Sequence, residues 1–495
     1  MWIHQDNVNI EEVIMKTVLF FDRCDLTRLY ILLTKELQGK VNIIHVSFSD
    51  VESKMLLDAG IKDYIDYQKE LSILVDTLKP SVALLEEIDN LIISQSKGLM
   101  SLNGSIQSDR GYSVLSYKES LLLACCHYSA WKAIFEKYHV DVMYHEPASQ
   151  FMTHIAALLC KRQGGVFIYP TQLQSDKEGY FFKNIDGEDF TCKELEDNYQ
   201  YYKLHPAEID KARCNKYIEQ FKKSYTVAFS NIVSSTAPKW RLWLSSLKNR
   251  IILCQQKNKF DILKNNIDYW ILRNNREKEK LYNLKQYKKR KIRFSQIVEG
   301  EKYYYYSVHL EPEATVLYLS GGHYTNQIKL IENIAASLPP NYYLYVKDHP
   351  HEYAYRKADD YERLMKVPNI RLIDQRIPGK RLVKDAVGVF SINGTVGFEG
   401  IMLRKSVFCF GKSYYTPYTR VNYIENIKDA RKIIYDSLKD DNRQDDDFYA
   451  FIYAYLTSMH EGFVTYFGDR SEKAGIDPIA NAKLVAKDIM RLVAE

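Results

Sequence analysis

The chain has 495 residues, 46% hydrophobic and 26% charged, with 68 Lys and Arg against 63 Asp and Glu for a net charge of +5. That length is too great for one ordinary core and predicts roughly two to three domains of soluble globular type. The charge excess is too small to argue for nucleic acid as a partner.

The first strand signal is TVLFFD, residues 17–22, followed by a helical pattern through LTRLYILLTKEL and a second strand, VNIIHVSF. SKMLLDAGIKDYIDY then reads as helix, glycine stop and short strand. SLLLACCHYSAWKAIFEKYHV is a long amphipathic helix, DVMYHE a strand, ASQFMTHIAALLCKRQG a helix and GVFIYP a strand. This β-α-β rhythm predicts a parallel sheet in an N-terminal α/β domain over residues 15–204. Residues 205–300 differ: long helical patterns such as PAEIDKARCNKYIEQFKKSY, dense Lys, Arg and Asn, and little strand signal predict a helical basic insertion or linker. Alternation resumes at TVLYLSG, QIKLIENIAASL, YYLYVKD, IRLID, RLVKDA, VGVFSI, TVGFEGIML and SVFCFG, predicting a second α/β domain over residues 301–480. The segment 481–495 completes PIANAKLVAKDIMRLVAE, an amphipathic helix of the sort that crosses back onto a first domain.

The cysteines, Cys24, Cys125, Cys126, Cys160, Cys192, Cys214, Cys254 and Cys409, are scattered mostly through apolar runs and form no C-x-x-C pair. Reduced, buried thiols are expected, with neither a disulfide frame nor a zinc site. The N-terminal MWIHQDNVNIEEVIMK is polar and acidic where a signal peptide is basic and then apolar. No apolar run approaches the ~18 residues of a spanning helix. A cytoplasmic protein is expected, at most resting on the cytoplasmic face of the membrane.

In tandem α/β domains, ligands gather at the carboxyl ends of parallel strands, where helix starts and irregular loops meet. VKDHPHEY puts Lys347, His349 and Pro350 there; the proline holds the chain extended and aims the imidazole, which can donate to a phosphate or a leaving oxygen. FSINGTVGFEG ends a strand at Ser391, turns at Asn393 and Gly394, and starts a helix at Thr395 that carries Glu399. Its amides and the Ser391 and Thr395 hydroxyls suit an anion, with Thr395 as the expected cap, and Glu399 suits ribose or sugar hydroxyls. Without G-K-[ST] it is not a Walker loop. His309, Glu311 and Glu313 alternate in SVHLEPEAT, so an extended chain would place them on one face, a set suited to acid/base work. Gly321 and Gly322 permit close backbone approach to a ligand. In the first domain Glu146 follows the strand DVMY, with Pro147 fixing the chain after it, while Asp22, Asp109 and Arg110 occupy comparable loops. Each element alone also has a plainer structural use, as a helix cap or a solvated linker.

Together, SVHLEPEAT, VKDHP and FSINGTVGFEGIMLRKSVFCFG resemble the bacterial capsule polysaccharide biosynthesis proteins, a family that includes β-Kdo transferases of GT-B fold. The likeness covers about residues 300–415. His-Pro ahead of a hydroxyl-bearing phosphate loop is also shared with bacterial sialyltransferases, which use CMP-activated sugars. The resemblance implies an α/β, GT-B-like protein: two Rossmann-like domains facing a cleft, with a helical insertion between them. It implies a glycosyltransferase whose second domain binds a CMP-activated acidic sugar, His349 and Pro350 at the cytidylate and Ser391, Asn393, Gly394 and Thr395 near the phosphate. A monophosphate leaving group needs one anion site and a proton donor, so no metal and no cofactor beyond the CMP-sugar substrate are expected. The implied partners are the nucleotide-activated sugar and a glycan or glycolipid acceptor.

Family members of this kind use a carboxylate nucleophile, which no motif places here; Glu146, Glu311 and Glu313 are the candidates. Residues 236–254, TAPKWRLWLSSLKNRIILC, and the cluster QYKKRKIRF mix tryptophans, leucines and basic residues in a way that also suits anionic headgroups of the inner membrane. Two other functions fit the sequence: a transferase that uses a nucleotide-diphosphate sugar or builds a teichoic-type polymer, and a non-catalytic glycan-binding or export-complex protein.

Overall fold

The computed structural model describes residues 15–96, 100–109, 111–112, 115–173, 180–185, 190–223, 247, 268–311, 316, 318–320, 323–349, 354–439, 445–464, 471–472 and 475–494. Its strands are β1 (Thr17–Asp22), β2 (Asn42–Ser47), β3 (Ile65–Asp66), β4 (Val142–Tyr144), β5 (Val166–Gln172), β6 (Tyr180–Ile185), β7 (Lys302–Ser307), β8 (Tyr342–Lys347), β9 (Ile370–Leu372), β10 (Gly388–Ser391), β11 (Ser406–Cys409), β12 (Val421–Tyr423) and β13 (His460–Glu461). They form two sheets, β13-β6-β5-β4-β1-β2-β3 and β12-β11-β10-β7-β8-β9. The second is parallel throughout. The first is parallel from β5 to β3, with β6 and β13 added antiparallel at one edge.

Each sheet starts in its middle and winds outward both ways, so two Rossmann-like domains are present. Chain order reverses between β1 and β4 in one sheet and between β7 and β10 in the other. Loops leaving such a pair diverge and open a crevice at the carboxyl end. The parallel strands are buried on both faces, which is why TVLFFD and VGVFSI are legible as near-continuous apolar runs.

The strand that opens the second sheet is not the expected one. TVLYLS lies partly outside the described residues, and its Tyr318–Ser320 portion is a turn. The central strand is instead KYYYYS, with Tyr303 and Tyr305 in one core and Tyr304 and Tyr306 in the other. A tyrosine run serves as a core strand when its hydroxyls find partners. Tyr303 donates to the Leu382 carbonyl at 2.8 Å and Tyr306 to Gln327 Oε1 at 3.2 Å. Tyr318 is used elsewhere: its ring meets His154 edge-on at 5.1 Å and joins the core of the first domain.

Further contacts tie the domains together. The helix Pro478–Ala494 returns to the first sheet, where Val485 and Ile489 pack with Val18, Phe20, Leu29 and Leu33. The helix Lys193–Leu204 packs against the helix Asp445–Thr457, placing Leu195 and Tyr199 in the core of the second domain. His460 stands where these elements meet, its ring nitrogens 2.7 Å from Glu194 and 2.5 Å from Asp488.

Candidate functional site

Strands β10, β7 and β8 lie side by side, so the loops carrying Ser391, His309 and His349 leave the same end of the second sheet. His309 is anchored by its backbone: its N–H donates to Gln327 Oε1 at 2.9 Å, and its carbonyl accepts from Gln327 Nε2 at 3.1 Å. Its ring turns toward β10. The Ile392 N–H donates to His309 Nε2 at 3.1 Å, and the Ser391 hydroxyl lies 3.2 Å from the same nitrogen. A ring nitrogen that accepts from a backbone amide carries no proton, so the proton of His309 sits on Nδ1. Burial, reinforced by the charge of nearby His349, pulls the His309 pKa down to about 4. At neutral pH it is an uncharged imidazole.

Ser391 closes the turn below. Its Oγ accepts the Gly394 N–H at 2.9 Å, and the Tyr415 hydroxyl donates to the Gly394 carbonyl at 2.8 Å. The expected cap, Thr395, makes no capping bond: its φ of −60° and ψ of −20° are already helical, and its side chain is exposed. A cap needs extended backbone to aim its oxygen at the helix amides ahead of it; Ser391 instead holds the Gly394 amide, in the turn before the helix. Asn393 is buried and reaches the Leu319 carbonyl at 3.3 Å.

His309 and Glu311 do not share a face. The strand ends at Ser307, and beyond it the His309 ring meets Ser391 and Ile392 while Glu311 meets Gln327 and Arg356. Glu311 accepts from Gln327 Nε2 and lies 3.4 Å from Arg356 Nη1, whose Nε donates to Asp348 at 3.0 Å. His349, next after Asp348, is half-buried.

Lys347 and Glu399 belong to a second polar group on the other face of the strand ends. Loss of water pushes the Glu399 carboxyl up to about 7, and the Lys380 and Lys347 charges offset this only in part. Burial likewise pulls the Lys347 ammonium down. Although Glu399 is half-buried as a residue, its carboxyl is shielded from water, and near neutrality it can both give and accept a proton.

At the switch point of the first sheet, Asp22 is fully buried and bonds His45 Nδ1 at 2.8 Å. Burial raises its pKa to about 6, against the pull of His45. Asp109 is spent on structure, accepting the Gly111 and Phe151 amides at 2.8 and 2.6 Å and so fixing the start of the helix Phe151–Arg162. Glu146 is half-buried beyond β4, close enough to Cys24 to raise its thiol pKa along with burial. Among the described residues no hydrogen bond or ion pair holds its carboxylate.

Glu313, Pro350, Gly321, Gly322, Arg110, Cys254 and, apart from Leu247, the segment 236–254 lie outside the described residues. Among the described residues no group of three or more His, Cys, Asp or Glu side chains is arranged to hold a metal ion, and no helix is long and apolar enough to cross a membrane. Gln327 and Arg356 escaped the sequence reading, because neither stands in a motif or at a strand end.

Buried histidines set the pH response. Burial lowers the pKa of His127 and His145 to about 3, and that of His309 to about 4. Below the unfolded pKa of about 6.5 the unfolded chain takes up protons there that the native state refuses, so stability falls as pH drops toward 4. Asp22 and Glu399, raised to about 6 and 7, bind protons in the native state and oppose part of this fall. Burial lowers the pKa of His460, but its bonds to Asp488 and Glu194 overcome that and raise it to about 9. Its contribution is full below about 6.5 and lost as pH rises through 9, at up to about 1.4 kcal/mol per pH unit. Tm should therefore peak near pH 7 and fall on both sides. His460→Gln should flatten only the alkaline side; an unchanged alkaline slope by differential scanning calorimetry would refute this.

Residues 251–419 match the family described as capsule polysaccharide biosynthesis protein, a span that contains β7 to β11 and all three site loops. No curated protein matches the sequence. Among solved structures, the chain is similar to UDP-GlcNAc 2-epimerase from Neisseria meningitidis bound to UDP-GlcNAc, with 12% identity over 97% of this chain and 100% of that one, at a TM-score of 0.23. It is similar to Anabaena Alr3699/HepE in complex with UDP at 10% identity over 96% and 100% of the chains, TM-score 0.27. It is also similar to Thermosulfurimonas dismutans KpsC, a beta Kdo 2,4 transferase, at 12% identity over 71% and 87%, TM-score 0.31. These overlays are loose, and the fold rests on the strand order itself.

Proposed function

We propose, from the match of residues 251–419 to the capsule polysaccharide biosynthesis protein family, a glycosyltransferase that moves an acidic sugar, Kdo or a related ulosonic acid, from a CMP-activated donor to a bacterial surface or capsule glycan. The observation that carries this proposal is the closure of His309 onto Ser391 and Ile392 at the switch point of the second sheet, with His349 beside it. A nucleotide seated there meets the turn Asn393–Thr395 from one strand end and His349 from the next. His309, neutral and already bonded, shapes the floor. His349 is then the group that would protonate the departing phosphate oxygen. The donor leaves as a monophosphate, so this set suffices without a metal. The acceptor enters from the first domain, where Glu146 stands.

The test is thermal unfolding with nucleotides. CMP at a hundredfold excess over its Kd should add about 2.7 kcal/mol, because it binds only the native state. UMP and GDP at equal concentration should add less, and His349→Ala should at least halve the CMP shift. A stronger response to UDP or GDP would replace this donor with a nucleotide-diphosphate sugar. No response to any nucleotide would favour a glycan-binding protein without catalysis.

A further inference from the structure

The loops after β7 and β8 part company at the sheet edge. Among the described residues their last backbone link is the Val308 N–H to the Lys347 carbonyl, 3.0 Å. Beyond it, one side chain joins them again. Arg356, with 5% of its side chain exposed, donates from Nε to Asp348 Oδ1 at 3.0 Å and reaches Glu311 Oε2 with Nη1 at 3.4 Å. Asp348 directly precedes His349, and Glu311 stands two residues after His309. The Tyr361 hydroxyl donates to the second oxygen of Asp348, and Gln327 ties Glu311 back to the His309 carbonyl.

The arginine is itself held from outside the sheet. Its carbonyl accepts from the Tyr287 hydroxyl, and Asn283 Nδ2 donates to the Ala354 and Tyr355 carbonyls at 3.0 and 3.1 Å. Both residues lie on the helix Asp268–Lys289, and Ala354 is kept at a left-handed φ of 67°. A buried guanidinium is costly unless its charge is answered, and here two carboxylates from two different loops answer it. Only a planar fork can hold both; a lysine ammonium is a single point on a flexible stem.

We infer that Arg356 is a positioning residue that fixes His309 and His349 relative to each other by cross-linking the two loops, so that nucleotide binding depends on a side chain that does not touch the nucleotide. This rests on the donor site proposed above. The test pairs Arg356→Lys with Glu311→Gln, which keeps an acceptor for Gln327 and removes only one arm of the cross-link. CMP affinity is measured by calorimetry on folded protein, and the His309 imidazole is titrated by NMR. Arg356→Lys should weaken CMP at least tenfold and Glu311→Gln about threefold, and in both the His309 midpoint should move up from about 4 toward the ordinary value near 6.5. If the variants lose only thermal stability, while CMP affinity and the His309 midpoint stay at wild-type values, Arg356 is merely structural and the inference is overturned. Should Arg356→Lys not fold, Glu311→Gln decides by the same two readouts. Wild-type protein that ignores CMP would refute the donor proposal, and the imidazole midpoints would still decide the cross-link.

Discussion

Glu146→Gln is expected to lower kcat by about 10²- to 10⁴-fold while CMP affinity remains close to wild type. The amide keeps the shape of the carboxylate but can neither accept a proton nor form a glycosyl ester. Three observations favour Glu146 over Glu311 and Asp109, while Glu313 lies outside the described residues. The two oxygens of Glu311 are engaged by Gln327 and Arg356, which makes that residue part of the scaffold beneath His309. Both oxygens of Asp109 are taken up by backbone amides. Glu146 lies at the carboxyl end of β4, beside the switch point of the first sheet, with its carboxylate uncommitted among the described residues. Steady-state transfer from a CMP-sugar, run beside CMP calorimetry, separates loss of chemistry from loss of binding. Turnover within a few-fold of wild type would exclude Glu146 and point to Glu313 and then to Asp22, which is also at the switch point but wholly buried.

Gly394→Ala is the second large effect, on stability and nucleotide binding together. A Cβ at this position would stand 2.7 Å from His309 Cε1 and 3.1 Å from Ser391 Oγ. The serine is fixed in β10, so the imidazole has to move, and it then abandons the Ile392 amide. An orphaned buried amide costs about 1–3 kcal/mol, and forcing the added methyl into a packed site costs a similar amount. A loss of about 2–5 kcal/mol and at least tenfold in CMP affinity follows from these terms. Gly411→Ala is the matched control: its Cβ would make ordinary contacts no closer than 3.4 Å to Ile392, Ser320 and Asn393. If both variants unfold and bind alike, the contact between Gly394 and His309 does not govern the site.

Much of the architecture was legible because parallel strands buried on two faces leave continuous apolar runs. TVLFFD, DVMY, YYLYV and SVFC are each strands at those places. The site loops were legible for the complementary reason: Asp348-His349 and Asn393-Gly394 interrupt apolar runs with polar and turn residues at the strand ends, where ligands collect. Four tyrosines in succession were not legible as the central strand of a sheet. Their hydroxyls look polar until Leu382 and Gln327, 79 and 21 residues further along the chain, are seen to receive those of Tyr303 and Tyr306.

The tertiary structure alone decided three things. It made Ser391 and not Thr395 the residue that closes the turn, because backbone dihedrals, not residue type, aim a capping oxygen. It sent His309 and Glu311 to opposite neighbours, because Gln327 holds the backbone between them. And it gave a lone arginine in YAYRKADD the task of joining two loops. A sequence records local periodicity and turn chemistry, but the separation of 45 positions from Glu311 to Arg356 is closed only when β7 and β8 pair and bring their ends together.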